Sequence, residues 1–147
     1  MSIRVLLADD SDIMRKAIVG ALAEDPLIEV VGQAHGFAQT IQLTNSLKPD
    51  VLLIDLHMSD EYEYPPELVR SRIANDADCI LAISVWNDDD AKQLAKRLGA
   101  KLLLDKSSLY STLLPAIRKT CAPSPKKPPL TFKKSPNPFI SLRKILP

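Results

Sequence analysis

Carboxylates, a hydroxyl and an ammonium stand at the ends of apolar runs in this sequence. The side chains concerned are those of Asp9, Asp10, Asp55, Ser84 and Lys106. Acids held close together repel one another, and one carboxyl would stay protonated unless a cation lay among them. Mg²⁺ is a suitable cation, because it takes oxygen ligands from carboxylates, water and phosphoryl groups. The residue types therefore predict a magnesium site, provided that the fold brings these run ends together.

Five strand-like runs, each followed by a helical pattern, must position these side chains. The predicted strands cover residues 3–8, 28–34, 51–56, 79–85 and 101–104. The predicted helices start after Ser11, at Phe37, at Pro65-Pro66, after Asp88-Asp89-Asp90 and after Ser107 or Ser108. Continuous rather than alternating apolar strands indicate an α/β fold, in which helices cover both faces of a parallel sheet. In such sheets ligands bind outside the carboxyl ends of the strands, near the point where strand order reverses.

The near-neutral charge of the 147-residue chain conceals two oppositely charged parts. Residues 1–121 carry 13 Lys and Arg against 18 Asp and Glu, a net charge of −5. Residues 122–147 carry 6 Lys and Arg, no acid, and 7 of the 12 prolines. Proline removes backbone donors and ends helices, so this composition predicts an extended, disordered basic tail. We therefore expect one domain over residues 1–121 and a Pro/Lys-rich tail over residues 122–147.

Membrane and secretion signals are missing from the sequence. No apolar run approaches the roughly 20 residues that a membrane span needs, and the start lacks the pattern of a secretion signal. We therefore expect a soluble, cytoplasmic protein with no membrane partner. Cys79 and Cys121 have no neighbouring Cys or His at metal-ligand spacing. Buried thiols are expected in a reducing compartment, rather than a disulfide or a zinc site.

In the types and order of its strand-end residues, the sequence resembles the receiver domain of two-component response regulators. The likeness rests on the pair Asp9-Asp10 after the first strand, Asp55 in the third, Ser84 after the fourth and Lys106 after the fifth. The likeness covers about residues 2–120. The chain is similar to the stand-alone, chemotaxis-regulator-like members of the family. The resemblance implies a flavodoxin-like (βα)5 fold with strand order 2-1-3-4-5.

The resemblance also implies a role for each of these residues. Asp55 would accept a phosphoryl group from a phosphohistidine on a sensor histidine kinase or phosphotransfer protein. The pair Asp9-Asp10 would hold Mg²⁺, together with Asp55 and the main-chain carbonyl of His57. Ser84 and Lys106 would bind the phosphoryl oxygens. Phosphoryl transfer mainly requires positioning and charge neutralisation, which this set would supply. The resemblance implies a phosphoacceptor that takes part in its own phosphorylation and dephosphorylation, and not a turnover enzyme.

Three features depart from the usual receiver pattern. Leu103 stands three positions before Lys106, where the family commonly has an aromatic switch residue. The segment Met58–Pro66 is acidic and lacks the usual glycine. The 26 residues after the last predicted helix are too few for a DNA-binding module, so we expect no output domain. We therefore expect a single-domain regulator that contacts a downstream protein through its helix 4, strand 5 and helix 5 face or through the basic tail.

Other functions fit the same residues less well. A haloacid-dehalogenase-type phosphatase would need an Asp where this chain has His57, and a flavodoxin-like cofactor protein would not place acids beside a phosphate. A receiver-fold interaction module that works without phosphorylation stays an alternative, which Leu103 and the altered loop favour. His57 and Trp86, each two residues beyond a site residue, either border the phosphate or simply face solvent.

The basic tail leaves three alternatives open. Its Lys and Arg residues can attract nucleic-acid phosphates, but only Phe132 and Phe139 are available for stacking, so sequence-specific binding is not expected. The tail can instead contact the acidic body or a protein partner through residues 139–142 and 145–146. A solvated tail without a function is the third alternative.

Overall fold

The computed structural model describes residues 2–121 and contains one five-stranded parallel sheet. Its strands are β1 (Ile3–Ala8), β2 (Ile28–Ala34), β3 (Val51–Asp55), β4 (Cys79–Ser84) and β5 (Leu102–Asp105). Neighbouring strands follow the order β2-β1-β3-β4-β5. The predicted fold class and strand order are confirmed. The fifth strand lies one residue further along the chain than predicted.

Helices cover the sheet, and local signals fix their ends. In the described part of the chain they are α1 (Asp12–Leu22), α2 (Phe37–Leu47), α3 (Pro66–Ile73), α4 (Asp89–Leu98) and α5 (Leu109–Thr120), with short 3-10 helices at Glu61–Glu63 and Lys106–Ser108. Ser11 caps α1 by accepting a hydrogen bond from the Met14 N–H at 3.1 Å. Asp88 caps α4, and Gly99 ends it with a φ of 91° that suits a residue without a side chain.

Helix α5 starts directly after Ser108, as predicted, but no serine side chain caps it. Ser108 occupies the N-cap position, but its side chain makes no capping hydrogen bond. The Asp105 carboxylate instead accepts a hydrogen bond from the Ser107 N–H at 2.8 Å, one turn earlier. This tight turn holds Lys106 directly after β5.

Apolar side chains are buried on both faces of the sheet. In β1, Val5 and Leu7 belong to a core cluster shared with α1 and α5, whereas Leu6 and Ala8 belong to one shared with α2 and α3. Successive side chains of a strand point to opposite faces, so a strand covered on both sides must be apolar at nearly every position. The carboxyl ends of the strands are where polar residues can stand without opening the core.

Cys79 and Cys121 form a disulfide that joins the start of β4 to the residue after α5. Their Cα atoms are 5.6 Å apart although 42 residues separate them in sequence. Both side chains are buried, as predicted. The expectation of thiols instead of a disulfide is wrong, because α5 returns across the sheet and brings its end to the beginning of a distant strand.

Part of the predicted organisation lies outside the described residues. Residues 122–147, predicted to be a basic tail, are not among them, so the domain boundary at residue 121 stays a prediction. Met1 is likewise outside. Within residues 2–121, no helix is long and apolar enough to cross a membrane.

Candidate functional site

The carboxyl ends of four strands bring the predicted site residues to one edge of the sheet. Asp9 directly follows β1, Asp55 ends β3, Ser84 ends β4 and Lys106 directly follows β5. Strand order reverses between β1 and β3, because β2 lies on the other side of β1. The residues therefore gather where open α/β sheets usually bind ligands.

Three carboxylates form a compact group at this edge. One oxygen from each of Asp9, Asp10 and Asp55 lies within 4.8 Å of the other two. Main-chain donors orient two of them: the Ser11 N–H donates to Asp9 Oδ1 at 2.8 Å, and the Ser59 N–H donates to Asp10 Oδ2 at 3.0 Å. Asp9 and Asp55 are buried, whereas Asp10 is exposed. The group is thus open to solvent on the side of Asp10.

The Lys106 ammonium lies between two of these acids. Its Nζ is 2.7 Å from Asp9 Oδ2 and 3.1 Å from Asp55 Oδ2. Burial lowers the pKa of Lys106, but its hydrogen bonds and charge interactions with Asp9 and Asp55 outweigh burial and hold that pKa above its usual value. Lys106 therefore stays cationic and neutralises part of the acidic group.

A divalent cation fits the remaining charge and the oxygen ligands of the acidic group. When ionised, the three carboxylates and the Lys106 ammonium sum to a net charge of −2. Asp9 Oδ2 is buried and paired with the Lys106 ammonium at 2.7 Å, and it accepts no other hydrogen bond within residues 2–121. A carboxylate oxygen has more than one lone pair, so Asp9 Oδ2 can also serve as a ligand for a hard cation. The donor set suits Mg²⁺, and the predicted role of the His57 carbonyl stays a prediction.

The protonation of Asp55 depends on its surroundings. Burial raises the pKa of Asp55 from 3.8 to about 6, and the neighbouring charge of Asp9 also raises it. The Lys106 charge and the His57 N–H, which donates to Asp55 Oδ1 at 3.2 Å, act in the opposite direction. Above this pKa, Asp55 is an ionised carboxylate that is largely removed from water. Such a group is available as a nucleophile.

Ser84 lies beside Asp55 on the neighbouring strand. The sheet register pairs Asp55 with Ile83, the residue before Ser84. Ser84 is buried, and its Oγ accepts a hydrogen bond from the Trp86 N–H at 3.0 Å. A hydroxyl that accepts one bond can still donate its own proton, so Ser84 can bind an oxyanion at this edge.

His57 and Trp86, whose roles the sequence left open, contact each other next to the site. The His57 and Trp86 rings meet edge to face with centroids 5.3 Å apart. His57 Nδ1 also lies 2.8 Å from Glu61 Oε1. Because His57 follows Asp55 by two residues and Trp86 follows Ser84 by two, this pair links the segments after β3 and β4.

Asp60 holds the segment after β3 against α2, a contact that sequence reasoning missed. Its two carboxylate oxygens accept hydrogen bonds from the N–H groups of Phe37 and Ala38, at 2.8 and 3.0 Å. Gly36 is the N-cap residue of α2 and has no side chain that could cap the helix itself. A Cβ on Gly36 would stand 3.1 Å from an Asp60 oxygen, so the glycine also permits the approach. The sequence signal for this contact was Gly36, because a glycine before the predicted start of the helix cannot cap it and leaves its first N–H groups to another residue.

Leu103 occupies the position of the aromatic switch residue without its chemistry. It is half-buried on β5 and packs against the cluster that contains Leu56, Ala82 and Ala95. An aliphatic side chain in this place offers neither a ring nor a hydroxyl that could change position at the surface. That Leu103 stands in for an aromatic switch residue stays a prediction from the resemblance.

Comparison with known proteins gives consistent matches. A family model described as the response regulator receiver domain matches residues 5–118. The transcriptional regulatory protein LiaR of Bacillus subtilis is 33% identical over 126 residues, which are 84% of this chain and 58% of LiaR. The response regulator GacA of Pseudomonas viridiflava is 31% identical over 117 residues, which are 79% of this chain and 54% of GacA. The chain thus spans little more than half the length of these curated relatives.

A solved structure shares the fold. The signal receiver domain of the putative response regulator NarL from Mycobacterium tuberculosis superposes with a TM-score of 0.71 at 24% identity. The superposition covers 84% of this chain and 98% of that domain. At this level of identity, the likeness supports the arrangement of the sheet and helices.

Proposed function

The chain belongs to the response regulator receiver domain family, and on that basis we propose that it relays a signal by accepting a phosphoryl group on Asp55. The observation that carries the proposal is the position of Asp55, which is in contact with Lys106 and grouped with Asp9 and Asp10. The proposed donor is a phosphohistidine on a sensor histidine kinase or a phosphotransfer protein. The curated relatives are described as regulators, and their own outputs are not assigned to this chain.

In the proposed phosphoryl transfer, one bond forms and one bond breaks. An Asp55 carboxylate oxygen forms a bond to phosphorus while the bond between phosphorus and the donor nitrogen breaks, and the imidazole leaves. The Lys106 ammonium and the Ser84 hydroxyl stabilise the charge on the other phosphoryl oxygens. Most of the catalysis is positioning and electrostatic stabilisation, which these fixed side chains can supply.

Mg²⁺ is the proposed cofactor of this site. Asp9, Asp10 and Asp55 would hold it, with the main-chain carbonyl of His57 as a further ligand. When bound, it would neutralise charge on the acceptor and on the phosphoryl oxygens. The grouping of one oxygen from each of the three carboxylates within 4.8 Å supports this assignment.

The output is proposed to be a change in protein contacts at the face formed by α4, β5 and α5. A phosphoryl group adds charge next to Ser84 and Lys106, and these residues end β4 and follow β5. Because Leu103 replaces the aromatic switch, the change must reach this face through the backbone segments after Ser84 and Asp105. The downstream partner is proposed to be a protein.

An interaction module that works without phosphorylation is the second candidate. It is favoured by Leu103 and by the segment after β3, which Asp60 fixes to α2. In that case the acidic group would be a structural feature, and partner binding would not depend on Mg²⁺ or on a phosphodonor.

The proposed location is the cytoplasm, where sensor kinases deliver phosphoryl groups. The Cys79–Cys121 disulfide weighs against a permanently reducing environment, because disulfides rarely persist in the cytosol. Alkylating free thiols at the moment of cell lysis would show whether the two cysteines are paired in the cell. A disulfide found in protein from the cytoplasmic fraction would show that the bond persists there, and it would be compatible with phosphorylation of Asp55.

Mass spectrometry of the intact protein tests the proposal. The wild type is incubated with Mg²⁺ and a small phosphodonor such as phosphoramidate, beside Asp55→Asn and a receiver of known activity. We expect a base-labile phosphoryl adduct on the wild type, no adduct on Asp55→Asn, and none when EDTA replaces Mg²⁺. Beryllofluoride should bind the wild type under the same Mg²⁺ requirement. An unlabelled wild type beside a labelled control receiver would favour the interaction module.

A further inference from the structure

An apolar groove lies between the segment after β3 and helix α4. It encloses a cavity of about 220 Å³. Its lining includes Phe37, Leu56, Tyr64, Pro66, Leu94 and Leu98. Tyr62 also lines the groove and is 91% exposed, and Trp86, in contact with the lining residue His57, is 56% exposed. Large aromatic side chains left in water beside an apolar groove are typical of a binding surface.

Acidic residues are concentrated in the chain segments that contribute to this groove or directly precede it. Residues 51–69 contain five Asp and Glu and no Lys or Arg, and residues 85–91 contain three Asp and no Lys or Arg. Within residues 2–121, Glu63, Asp89 and Asp90 take part in no ion pair. Arg97, on α4, is already engaged by Glu67, with contacts of 2.6 and 2.9 Å. The groove therefore suits a basic partner with apolar side chains.

Residues 122–147 of the same chain have this composition. They contain six Lys and Arg and no acid, and their basic residues alternate with apolar ones. The apolar residues include Phe132, Phe139, Ile140, Leu142 and Ile145. The charge of the segment, +6, complements the −5 of residues 1–121. Attraction between oppositely charged surfaces favours this encounter over one between copies of the acidic part.

The segment is long enough to reach the groove. It begins after Cys121, which the disulfide fixes at the start of β4, the edge of the sheet opposite the site. The six residues of β4 span about 20 Å toward the edge where the groove lies. Phe139 is 18 residues beyond Cys121, and a proline-rich chain extends by about 3.1 Å per residue, or about 56 Å over this stretch. The reach exceeds the length of β4 by about 36 Å, which is available for the path from the face of α5 around the sheet to the face of α4.

We propose that residues 122–147 dock onto the acidic groove of their own chain, with Phe139 and Ile140 in the apolar cavity and the Lys and Arg residues beside Glu63, Asp89 and Asp90. Leu56 and His57 of the groove directly follow Asp55 in sequence. Any effect on phosphoryl transfer rests on the proposed function. The docking itself does not.

Trp86, the single tryptophan of the chain, reports on the groove without a label. Collisional quenching of its fluorescence by acrylamide is measured on the full chain of 147 residues and on the same chain carrying Phe139→Ser and Ile140→Ser. Docking covers Trp86, so we expect the quenching constant of the wild type to be roughly half that of the double variant, as for an aromatic side chain that becomes largely buried. Both substitutions lie outside the described core, so folding of residues 2–121 is not at risk.

Charge reversal supplies the matched control. Asp89→Lys with Asp90→Lys should raise the quenching constant to that of the double variant, whereas Glu29→Lys, on the exposed face of the distant strand β2, should leave it at the wild-type value. Equal quenching of the wild type and the Phe139→Ser/Ile140→Ser chain would overturn the proposal. So would a protection of Trp86 that disappears on dilution together with a dimer, because the occupant would then be a second copy.

Discussion

Asp55→Asn should stabilise the metal-free protein at neutral pH, although it removes the proposed acceptor. The wild-type carboxylate is buried beside Asp9, and this environment raises its pKa from 3.8 to about 6. Holding it ionised therefore lowers the stability of the native state. Asparagine has nearly the same shape, can still accept the His57 N–H, and carries no charge.

The size of the effect follows from the pKa. A shift of about 2 units corresponds to about 3 kcal/mol, because one unit is worth about 1.4 kcal/mol. For a domain of this size, that gain corresponds to a rise of about 10 °C in the melting temperature. The Lys106 contact with Asp55 is already included, since it is one of the interactions that set the pKa.

The pH dependence has a definite sign. The folded-state pKa of Asp55 lies above its unfolded-state value, so the native state binds the proton more tightly. The stability linked to this proton is fully present below pH 3.8 and is lost as the pH rises through about 6. The advantage of Asp55→Asn should therefore be complete above about pH 7 and should vanish near pH 4.

Urea denaturation followed by circular dichroism, with EDTA present, measures this difference. Glu29→Gln is the matched control, because Glu29 is exposed on the edge strand β2 and has no ion pair within residues 2–121, and its change in the free energy of unfolding should stay within about 0.5 kcal/mol. Adding Mg²⁺ at about 100 times its dissociation constant should stabilise the wild type by about 2.7 kcal/mol and remove most of the advantage of Asp55→Asn. A neutral or destabilising Asp55→Asn in EDTA at neutral pH would refute the reasoning about burial.

Further predictions concern the disulfide, the cap of α2 and the ammonium. Reduction, or Cys121→Ser, should lower the free energy of unfolding by up to about 4 kcal/mol, since the Cys79–Cys121 bond closes a loop across 42 residues; identical urea midpoints with and without dithiothreitol would contradict this. Asp60→Ala should cost about 1 kcal/mol by leaving two N–H groups of α2 without acceptors, and Asp60→Asn should cost less, as thermal denaturation can show. Lys106→Met should raise the pKa of Asp55 by a unit or more, moving the pH at which half of the protein is labelled by Mg²⁺ and phosphoramidate upward by about one unit; an unchanged pH profile would show that Lys106 does not set the charge of the acceptor.

The sequence predicts most of the strands and helices because the residues that determine them lie within or next to each element. Uninterrupted apolar runs follow from burial on both faces, and Ser11, Pro66 and Gly99 each mark a helix end through their own backbone or side-chain chemistry. The strand order itself came with the family resemblance. Parallel strands then force their carboxyl ends to a common edge, so the grouping of Asp9 with Asp55 could be expected from topology.

Contacts between distant segments could not be predicted in the same way. The Cys79–Cys121 disulfide depends on where α5 ends relative to β4, a fact of packing. The capping of α2 by Asp60 joins residues more than twenty positions apart, and only Gly36 hints at it. The edge-to-face contact of His57 with Trp86 depends likewise on two segments that follow different strands.

The central claim, that Asp55 is the phosphoacceptor, is tested most directly by trapping the acyl phosphate. Protein treated with Mg²⁺ and phosphoramidate is reduced with borohydride, which converts a phosphorylated aspartate to homoserine, and the modified residue is located by tandem mass spectrometry. The predicted result is homoserine at position 55, dependent on Mg²⁺. An unmodified Asp55 beside a converted control receiver, or conversion at Asp10 instead, would contradict the account.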